Sequence, residues 1–233
     1  MHVFVLTGAG ISAESGLGTF RDKGGLWEKF DPMQLATPEA FARDPVRVHE
    51  FYNYRRRNMI DAEPNAAHAA LARLERGLAE NGGGVFLCTQ NIDDLHERAG
   101  SRHVHHMHGE LLKSRCARCG AQEDCRQDLS ILDTCSSCGR DNSLRPDVVW
   151  FGEMPYGLEE IEAALEASEL FVSIGTSGSV YPAAGYVELA RSLGIETCEI
   201  NLEPSDNAYV FDRRIYGPAS ESVPAFVDAL LAN

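Results

Sequence analysis

Four of the seven cysteines fall in two Cys-x2-Cys pairs, Cys116 with Cys119 and Cys135 with Cys138, separated by fifteen residues. Each pair offers two thiolates, and together they fill a tetrahedral zinc without leaving an open coordination position. One such Zn2+ would be structural, standing in for the core that a segment poor in apolar residues lacks. Cys125 lies between the pairs without a partner at that spacing and reads as a spare thiol. Cys88 and Cys198 sit in apolar runs and read as packing.

Histidines cluster in "HVHHMHGE", which supplies His103, His105, His106 and His108. In an extended segment the two-residue period places His106 and His108 on one face. Gly109 lets another group come close to His108, so that side chain is the candidate general base; the competing reading is a packed or solvated histidine. "TQNIDDLH" sets Gln90, Asn91 and Asp93 just beyond a strand, within reach of the same crevice, with Asp94 and His96 left for helix capping or local support.

Directly after the first apolar run, "VFVLTGAGISA" places Gly8, Gly10 and Ala13 in a G-x-G-x-x-A pattern. The first glycine permits a tight turn, and the second lets backbone approach a pyrophosphate held by the amides that follow. Alone the pattern also fits a simple turn. The acidic residue that a dehydrogenase offers about 20 positions later has no counterpart at the end of a second strand, so standard hydride transfer is not expected. Gly175, Thr176 and Ser177, and further on Asn201, Leu202 and Glu203, lie at the C-terminal ends of later strands, where open αβ sheets bind ligands.

The remaining chemistry is positive. "EFYNYRRRNMI", residues 50–60, carries three consecutive arginines in a chain of 233 residues with 35 acidic and 21 basic side chains, a formal net charge of −14. On a helix Tyr52 and Arg55 are neighbours at i and i+3, and Tyr54 with Arg57 forms a second pair turned away. The segment reads either as a solvated helix face or as a pocket for an anion.

The elements that must position these residues follow from periodicity and caps. Residues 3–7, 85–91, 170–177 and 198–202 are short apolar runs of strand type. Asp44-Pro45 reads as a helix cap with proline in first position, opening a helix to about Ile60; others span about Asn65–Ala79, Leu158–Ala167, Pro182–Leu193 and Ser222–Leu231. Strands alternating with helices predict an α/β fold, a parallel sheet covered by helices on both faces. The cysteine-rich segment becomes a small zinc-binding insertion between two strands. The expected division is a main domain of residues 1–112 and 143–233, including a helical segment at about 26–80, and a small ribbon-like module at 113–142.

The acidic balance argues against nucleic acid, although Lys113, Arg115 and Arg118 flank the first cysteine pair. No apolar run approaches membrane-spanning length and the first residues do not follow a leader's plan, so a cytoplasmic protein is expected. The oligomeric state stays open, a monomer included.

Taken together, "GAGISAESGLGTFRD", "TQNIDDLHERAG", "HMHGE", the cysteine pairs, "VVWFGEMP", "GTSGSVYPAAG" and "NLEPS" occur in an order that resembles the sirtuins, NAD-dependent protein lysine deacylases with a Rossmann-like sheet. The resemblance runs from residue 7 to about 219. It implies that Gly8, Ala9, Gly10, Phe20 and Arg21 belong to the NAD pocket. Gln90, Asn91 and Asp93 would surround the nicotinamide and its ribose, and Gly175, Thr176, Ser177, Asn201, Leu202, Glu203 and Ala219 would hold the adenosine end. His108, with Asn91 and Asp93, would be catalytic. The segment around Val149, Phe151, Gly152 and Glu153 would receive an acylated-lysine protein or peptide as an added strand.

In this family the acyl oxygen attacks the ribose carbon that carries nicotinamide, and a histidine then deprotonates a ribose hydroxyl. The products are nicotinamide, free lysine and 2'-O-acyl-ADP-ribose, which makes the enzyme formally a transferase. Family members that remove acidic acyl groups carry Tyr-x-x-Arg in the helix that here holds Tyr52 and Arg55. Arg55 would offer paired N–H donors and Tyr52 a hydroxyl to a succinyl or malonyl carboxylate, with acetyl also accepted. The room would come from Ala62, or from Ala66 and Ala67. Arg56 and Arg57 would be surface or packing residues. A mono-ADP-ribosyltransferase and a non-catalytic NAD- or ADP-ribose-binding regulator are the alternatives.

Overall fold

In this computed structural model the residues described are 1–18 and 32–232; the expected NAD-pocket residues Phe20 and Arg21 lie outside them. Along the chain run β1 (His2–Thr7), α1 (Pro38–Arg43), α2 (Pro45–Asp61), α3 (Ala66–Glu80), β2 (Gly84–Thr89), α4 (Leu95–Arg98) and β3 (Val104–His106). Then follow β4 (Gly109–Cys116), β5 (Gln122–Asp124), β6 (Leu144–Val148), α5 (Leu158–Glu166), β7 (Leu170–Ile174), α6 (Tyr186–Ser192), β8 (Glu196–Asn201), β9 (Arg213–Tyr216) and α7 (Ala219–Leu231).

β1, β2, β3, β7, β8 and β9 form one sheet in the order β3-β2-β1-β7-β8-β9, every pairing parallel. β1 lies at its centre, and its side chains alternate between two cores. Val3 and Val5 face Leu71 and Leu74 of α3 and Val223 and Val227 of α7. Phe4 and Leu6 face Ile161 and Leu165 of α5 and Val187 and Ala190 of α6. The period-two alternation of a strand thus turns one apolar run into the contact surface of two helical layers.

Strand order reverses beside β1: the chain winds outward through β2 and β3 on one side and through β7, β8 and β9 on the other. Such a switch point opens a crevice at the C-terminal strand ends.

β4, β5 and β6 make a separate antiparallel sheet, with β4 in the middle. Beneath it lies a small core of Cys116, Cys125, Leu129, Cys135 and Leu144, too little apolar surface to hold a fold by itself. The sheet is tied to the helical layer by a third core, in which Val48, Phe51, Tyr52 and Met59 of α2 pack on Leu111, Leu112, Val148 and Trp150. Their spacing of three, one and seven keeps one helical face toward the small sheet. Arg56 reinforces this join from inside: fully buried, it donates through Nε to the Leu111 carbonyl at 3.0 Å and through Nη1 to Asn53 Oδ1 at 2.7 Å.

The cap expected at Asp44 forms, and the helix expected from Asn65 turns out to be capped by that residue. Asp44 accepts from the Arg47 amide at 3.1 Å with Pro45 at the first position, and Asn65 accepts from the Ala67 amide at 2.9 Å while its own N–H meets His68 Nδ1. Other boundaries differ from the sequence expectation. The helix expected from Pro182 divides into a 3-10 turn, Ala183–Gly185, and α6, with Gly185 at the junction. β9 has no counterpart in the sequence expectation, because "RRIY" is a short, largely exposed edge strand, and β6 has none because it carries Pro146. α7 begins at Ala219 rather than near Ser222 because Glu14, far away in sequence, accepts the Ser220 amide at 2.9 Å and its hydroxyl at 2.7 Å.

Candidate active site

The glycine turn after β1 is locked against the turn after β7. Gly8 N–H donates to the Ile174 carbonyl and Gly10 N–H to the Gly175 carbonyl, both at 2.9 Å. A Cβ on Gly10 would lie 2.7 Å from Gly175 Cα, and Gly175 itself has φ +63°. Only glycine fits this crossing. A cleft of about 850 Å³ opens above it. Gly8, Ala9, Gly10, Gly175, Thr176, Ser177, Asn201, Leu202, Glu203 and Ala219 all line it, from the first strand end to the start of α7. Asn201 bridges two loop ends, donating to the Thr176 carbonyl at 2.8 Å and accepting from Leu202 N–H at 3.0 Å.

Gln90, Asn91, Asp93 and His108 line the same cleft. His108 Nδ1 lies 3.2 Å from the Gln90 carbonyl oxygen. A carbonyl only accepts, so Nδ1 carries the proton and Nε2 keeps its lone pair. Burial lowers the His108 pKa from the ordinary histidine value, with the Gln90 hydrogen bond opposing it.

The expected pairing of His106 with His108 on one face fails, since β3 ends at His106 and the chain turns at Met107. His106 instead meets the Asn91 carbonyl through Nδ1 at 3.2 Å and Glu97 through Nε2 at 2.7 Å. Burial opposes its charge, but the Glu97 hydrogen bond and charge prevail and raise its pKa. His105 turns toward the Tyr156 carbonyl and Glu160.

A residue the sequence reading passes over, Ser12, ties the floor together. Its hydroxyl donates to Asp93 Oδ2 at 3.1 Å and accepts from Asn91 Nδ2 at 3.2 Å, and the same Nδ2 reaches the Gly8 carbonyl at 3.1 Å. The one signal for Ser12 is its place two residues beyond Gly10. Asp93 is buried, which raises its pKa; hydrogen bonds from Leu95 N–H and Ser12 work the other way. Asp94 holds the N-cap position of α4 without a side-chain cap bond and faces Arg98 and Arg126; the first helical amide, Leu95 N–H, goes instead to Asp93. Below lies a buried pair of histidines with ring centroids 4.9 Å apart: His68 near Ser12, and His96 against the Thr7 hydroxyl at 3.1 Å.

At the other end of the cleft, Tyr52 and Arg55 of α2 both face in, as do Tyr54, Asn58 and Met59. Tyr54 and Arg57 do not turn away together as expected; only Arg57 does so, pairing with Asp128 outside. None of the expected space-making alanines lines the cleft: Ala62 and Ala67 are buried, the latter in the main core, and Ala66 is exposed. The guanidinium of Arg55 lies over the rings of Phe51 and Tyr52, with centroids 5.7 and 5.9 Å away.

Val149, Phe151, Gly152 and Glu153 form one wall. Val149 N–H is held by the His108 carbonyl and Phe151 N–H by the Ala36 carbonyl, at 2.8 and 2.9 Å. The Glu153 carboxylate is engaged from behind, accepting from both terminal nitrogens of Arg145 at 2.6 and 2.8 Å and from Trp150 N–H at 2.8 Å.

The four thiols of Cys116, Cys119, Cys135 and Cys138 lie within 4.8 Å of one another. Two of the separations are 3.8 Å (Cys116 to Cys138) and 3.7 Å (Cys119 to Cys135). A tetrahedron with Zn–S of about 2.3 Å has edges of about 3.8 Å, so the set fits a four-thiolate metal site. Cys125 stands apart, its thiol turned to the Gln127 carbonyl.

A parallel sheet with a glycine turn at its switch point, a long cleft and a four-thiol module together define an open α/β nucleotide-binding protein with a metal-binding insertion. Residues 8–182 match the model of the Sir2 family, so the chain belongs to that family. It is 63% identical over 233 residues to an NAD-dependent protein deacylase of Caulobacter vibrioides, covering 100% of this chain and 98% of that protein. A solved Sir2 homologue variant in complex with ADP-ribose superposes with a TM-score of 0.90 at 40% identity, covering 100% of this chain and 94% of that one. A Sir2 variant solved with a deacetylated p53 peptide and 3'-O-acetyl-ADP-ribose superposes with a TM-score of 0.79 at 29% identity, over 99% of this chain and 92% of that one.

Proposed function

We propose that this chain is an NAD-dependent protein lysine deacylase that removes succinyl, malonyl and acetyl groups, releasing nicotinamide and acyl-ADP-ribose. The observation that carries the reading is convergence: His108, the Asn91–Asp93 pair and the glycine turn share one cleft with Tyr52 and Arg55. The Gly8–Gly10 turn, Thr176 and Asn201 would hold the dinucleotide, and Gln90, Asn91 and Asp93 its nicotinamide-ribose end. Bound NAD supplies an activated ribose carbon as acyl acceptor. His108, neutral and with Nε2 unprotonated, accepts a proton from a ribose hydroxyl. The acylated lysine would lie along residues 149–153 with its acyl group directed toward α2.

Tyr52 and Arg55 make the acidic-acyl preference physically sensible. A carboxylate leaving water loses several kcal/mol of hydration unless a cation and donors replace it. Arg55 supplies the charge and paired donors, and Tyr52 a hydroxyl. Zn2+ at the four cysteines would be structural, since their sulfurs leave it no open position. The domain division is read the same way, residues 113–142 forming a module that depends on the metal and the remainder the NAD-binding body. Seven cysteines without a disulfide suit the cytoplasm, and no helix among the described residues is long and apolar enough to cross a membrane.

The test is to incubate the protein with NAD and matched acetyl-, succinyl- and malonyl-lysine peptides, following peptide mass and nicotinamide release. Succinyl and malonyl removal should be faster, and Arg55→Met should lower it by about 30-fold or more while deacetylation persists, the loss of a charge-assisted pair. Equal loss on all three peptides would make Arg55 structural. Mass loss on none, with ADP-ribose retained on protein, would overturn the deacylase reading.

A further inference from the structure

Trp150 lies in the wall opposite α2, almost wholly buried, and its indole N–H donates to the Tyr52 hydroxyl oxygen at 3.0 Å. Indole nitrogen can only donate, whereas a phenol both donates and accepts. The contact therefore fixes Tyr52 as the acceptor in this pair and leaves its single proton for another group. Among the described residues the hydroxyl makes no other hydrogen bond, and the Tyr52 side chain lines the cleft. An ionised carboxylate is a pure acceptor, so it matches the one polar function that Tyr52 has left.

The indole is itself held rigidly. Arg145 stacks on its face with the guanidinium carbon 3.4 Å from the ring centroid, and the Arg145–Glu153 pair closes on the Trp150 amide. The Phe41 ring packs against it with centroids 5.2 Å apart. Each of these holds the ring without using its N–H, which is left to act on Tyr52.

Resting on the acidic-acyl reading above, we infer that Trp150 is a positioning residue for acyl specificity, its N–H orienting the Tyr52 hydroxyl as a donor to the acyl carboxylate. A hydrogen bond received at oxygen also polarises the O–H that is donated onward, so the chain from Trp150 through Tyr52 to a carboxylate strengthens in one direction. A neutral acetyl methyl gains nothing from it.

The experiment is a double-mutant cycle of Trp150→Phe and Tyr52→Phe, with Arg55→Met as reference, measuring kcat and KM on succinyl- and acetyl-lysine peptides. Thermal melts check that each variant is folded. Trp150→Phe keeps a ring for Arg145 and removes only the N–H. The expected result is a fall of about 3- to 10-fold in the ratio of desuccinylation to deacetylation kcat/KM, chiefly through the succinyl KM, the scale of one hydrogen bond. The same change in the Tyr52→Phe background should add almost nothing. A proportional loss on both peptides, an unchanged ratio, or an undiminished effect without the Tyr52 hydroxyl would each overturn the inference. If the wild type shows no succinyl preference, or Arg55→Met leaves it intact, the underlying acidic-acyl reading fails instead.

Discussion

His108 and Gln90 are joined through a side chain and a main chain: the imidazole Nδ1 stands 3.2 Å from the Gln90 carbonyl oxygen. This bond selects the tautomer, so the nitrogen left for the cleft is a proton acceptor before any substrate arrives.

Replacing His108 by alanine should lower deacylation kcat by about 100-fold or more, the usual worth of a positioned general base. NAD affinity, measured by calorimetry, should change little. In the wild type, burial holds the histidine pKa below its ordinary value of 6.5. The base form then persists as pH falls, and the acid limb of kcat/KM should lie below pH 6.5. An acid limb above that value would exclude His108 as its source.

Acid should also destabilise the fold through the buried histidine pair. Burial lowers the His68 pKa from 6.5 to about 4, and burial together with the neighbouring His68 and His106 holds that of His96 well below 6.5. Both are depressed in the folded state, so the unfolded chain binds the extra protons once pH drops below 6.5, and stability falls until the folded pKa is reached. Asp93, whose pKa burial raises, opposes this trend, so the comparison must be made between proteins. Urea titrations of wild type and His68→Gln between pH 6.5 and 4 should converge by roughly 3 kcal/mol.

The four cysteines should bind one metal per chain, measurable by elemental analysis, and Cys135→Ser should lose it. The consequence should reach the proposed acyl pocket. Asn53 of α2 donates to the Leu129 carbonyl at 2.8 Å and accepts from the Leu129 amide at 2.9 Å. Loss of a metal bound there should loosen the segment holding those groups, and α2 carries Tyr52 and Arg55. A lowered Tm with a larger loss of desuccinylation than of NAD binding is the expected outcome of chelation.

Gly10→Ala should destabilise the protein by about 1–3 kcal/mol, the range for forced overpacking. The added Cβ would meet backbone, Gly175 Cα at 2.7 Å and its carbonyl oxygen at 2.9 Å, which cannot rotate away. Thermal melts and NAD titration would both register it, whereas Gly16→Ala, whose Cβ meets nothing within 4 Å among the described residues beyond its chain neighbours, should cost mainly the strain of φ +85°.

The strand runs, the Asp44 cap, the helix from Asn65, the glycine turn and the cysteine spacing were legible because each depends on neighbours in the chain. What a local pattern carries, the sequence states. His106 shows where that ends: its pairing with His108 assumed an extended run, and the turn at Met107, whose amide donates to the Thr89 carbonyl, sends the two rings to different partners. Tyr54 shows the same limit, because helical spacing says which residues share a face but not how far the cleft extends over it.

By itself, then, the sequence determined the alternating α/β order, the four-thiol site and the residue types that could do the chemistry. The tertiary structure decided which of them meet. It brought Ser12 between Asn91 and Asp93, set Glu14 at the start of α7, and placed the Trp150 N–H on the Tyr52 hydroxyl. These contacts join residues about 80, 206 and 98 positions apart. Hydrogen bonds act over about 3 Å in space, so only the packing of sheet, helix and insertion could choose such partners.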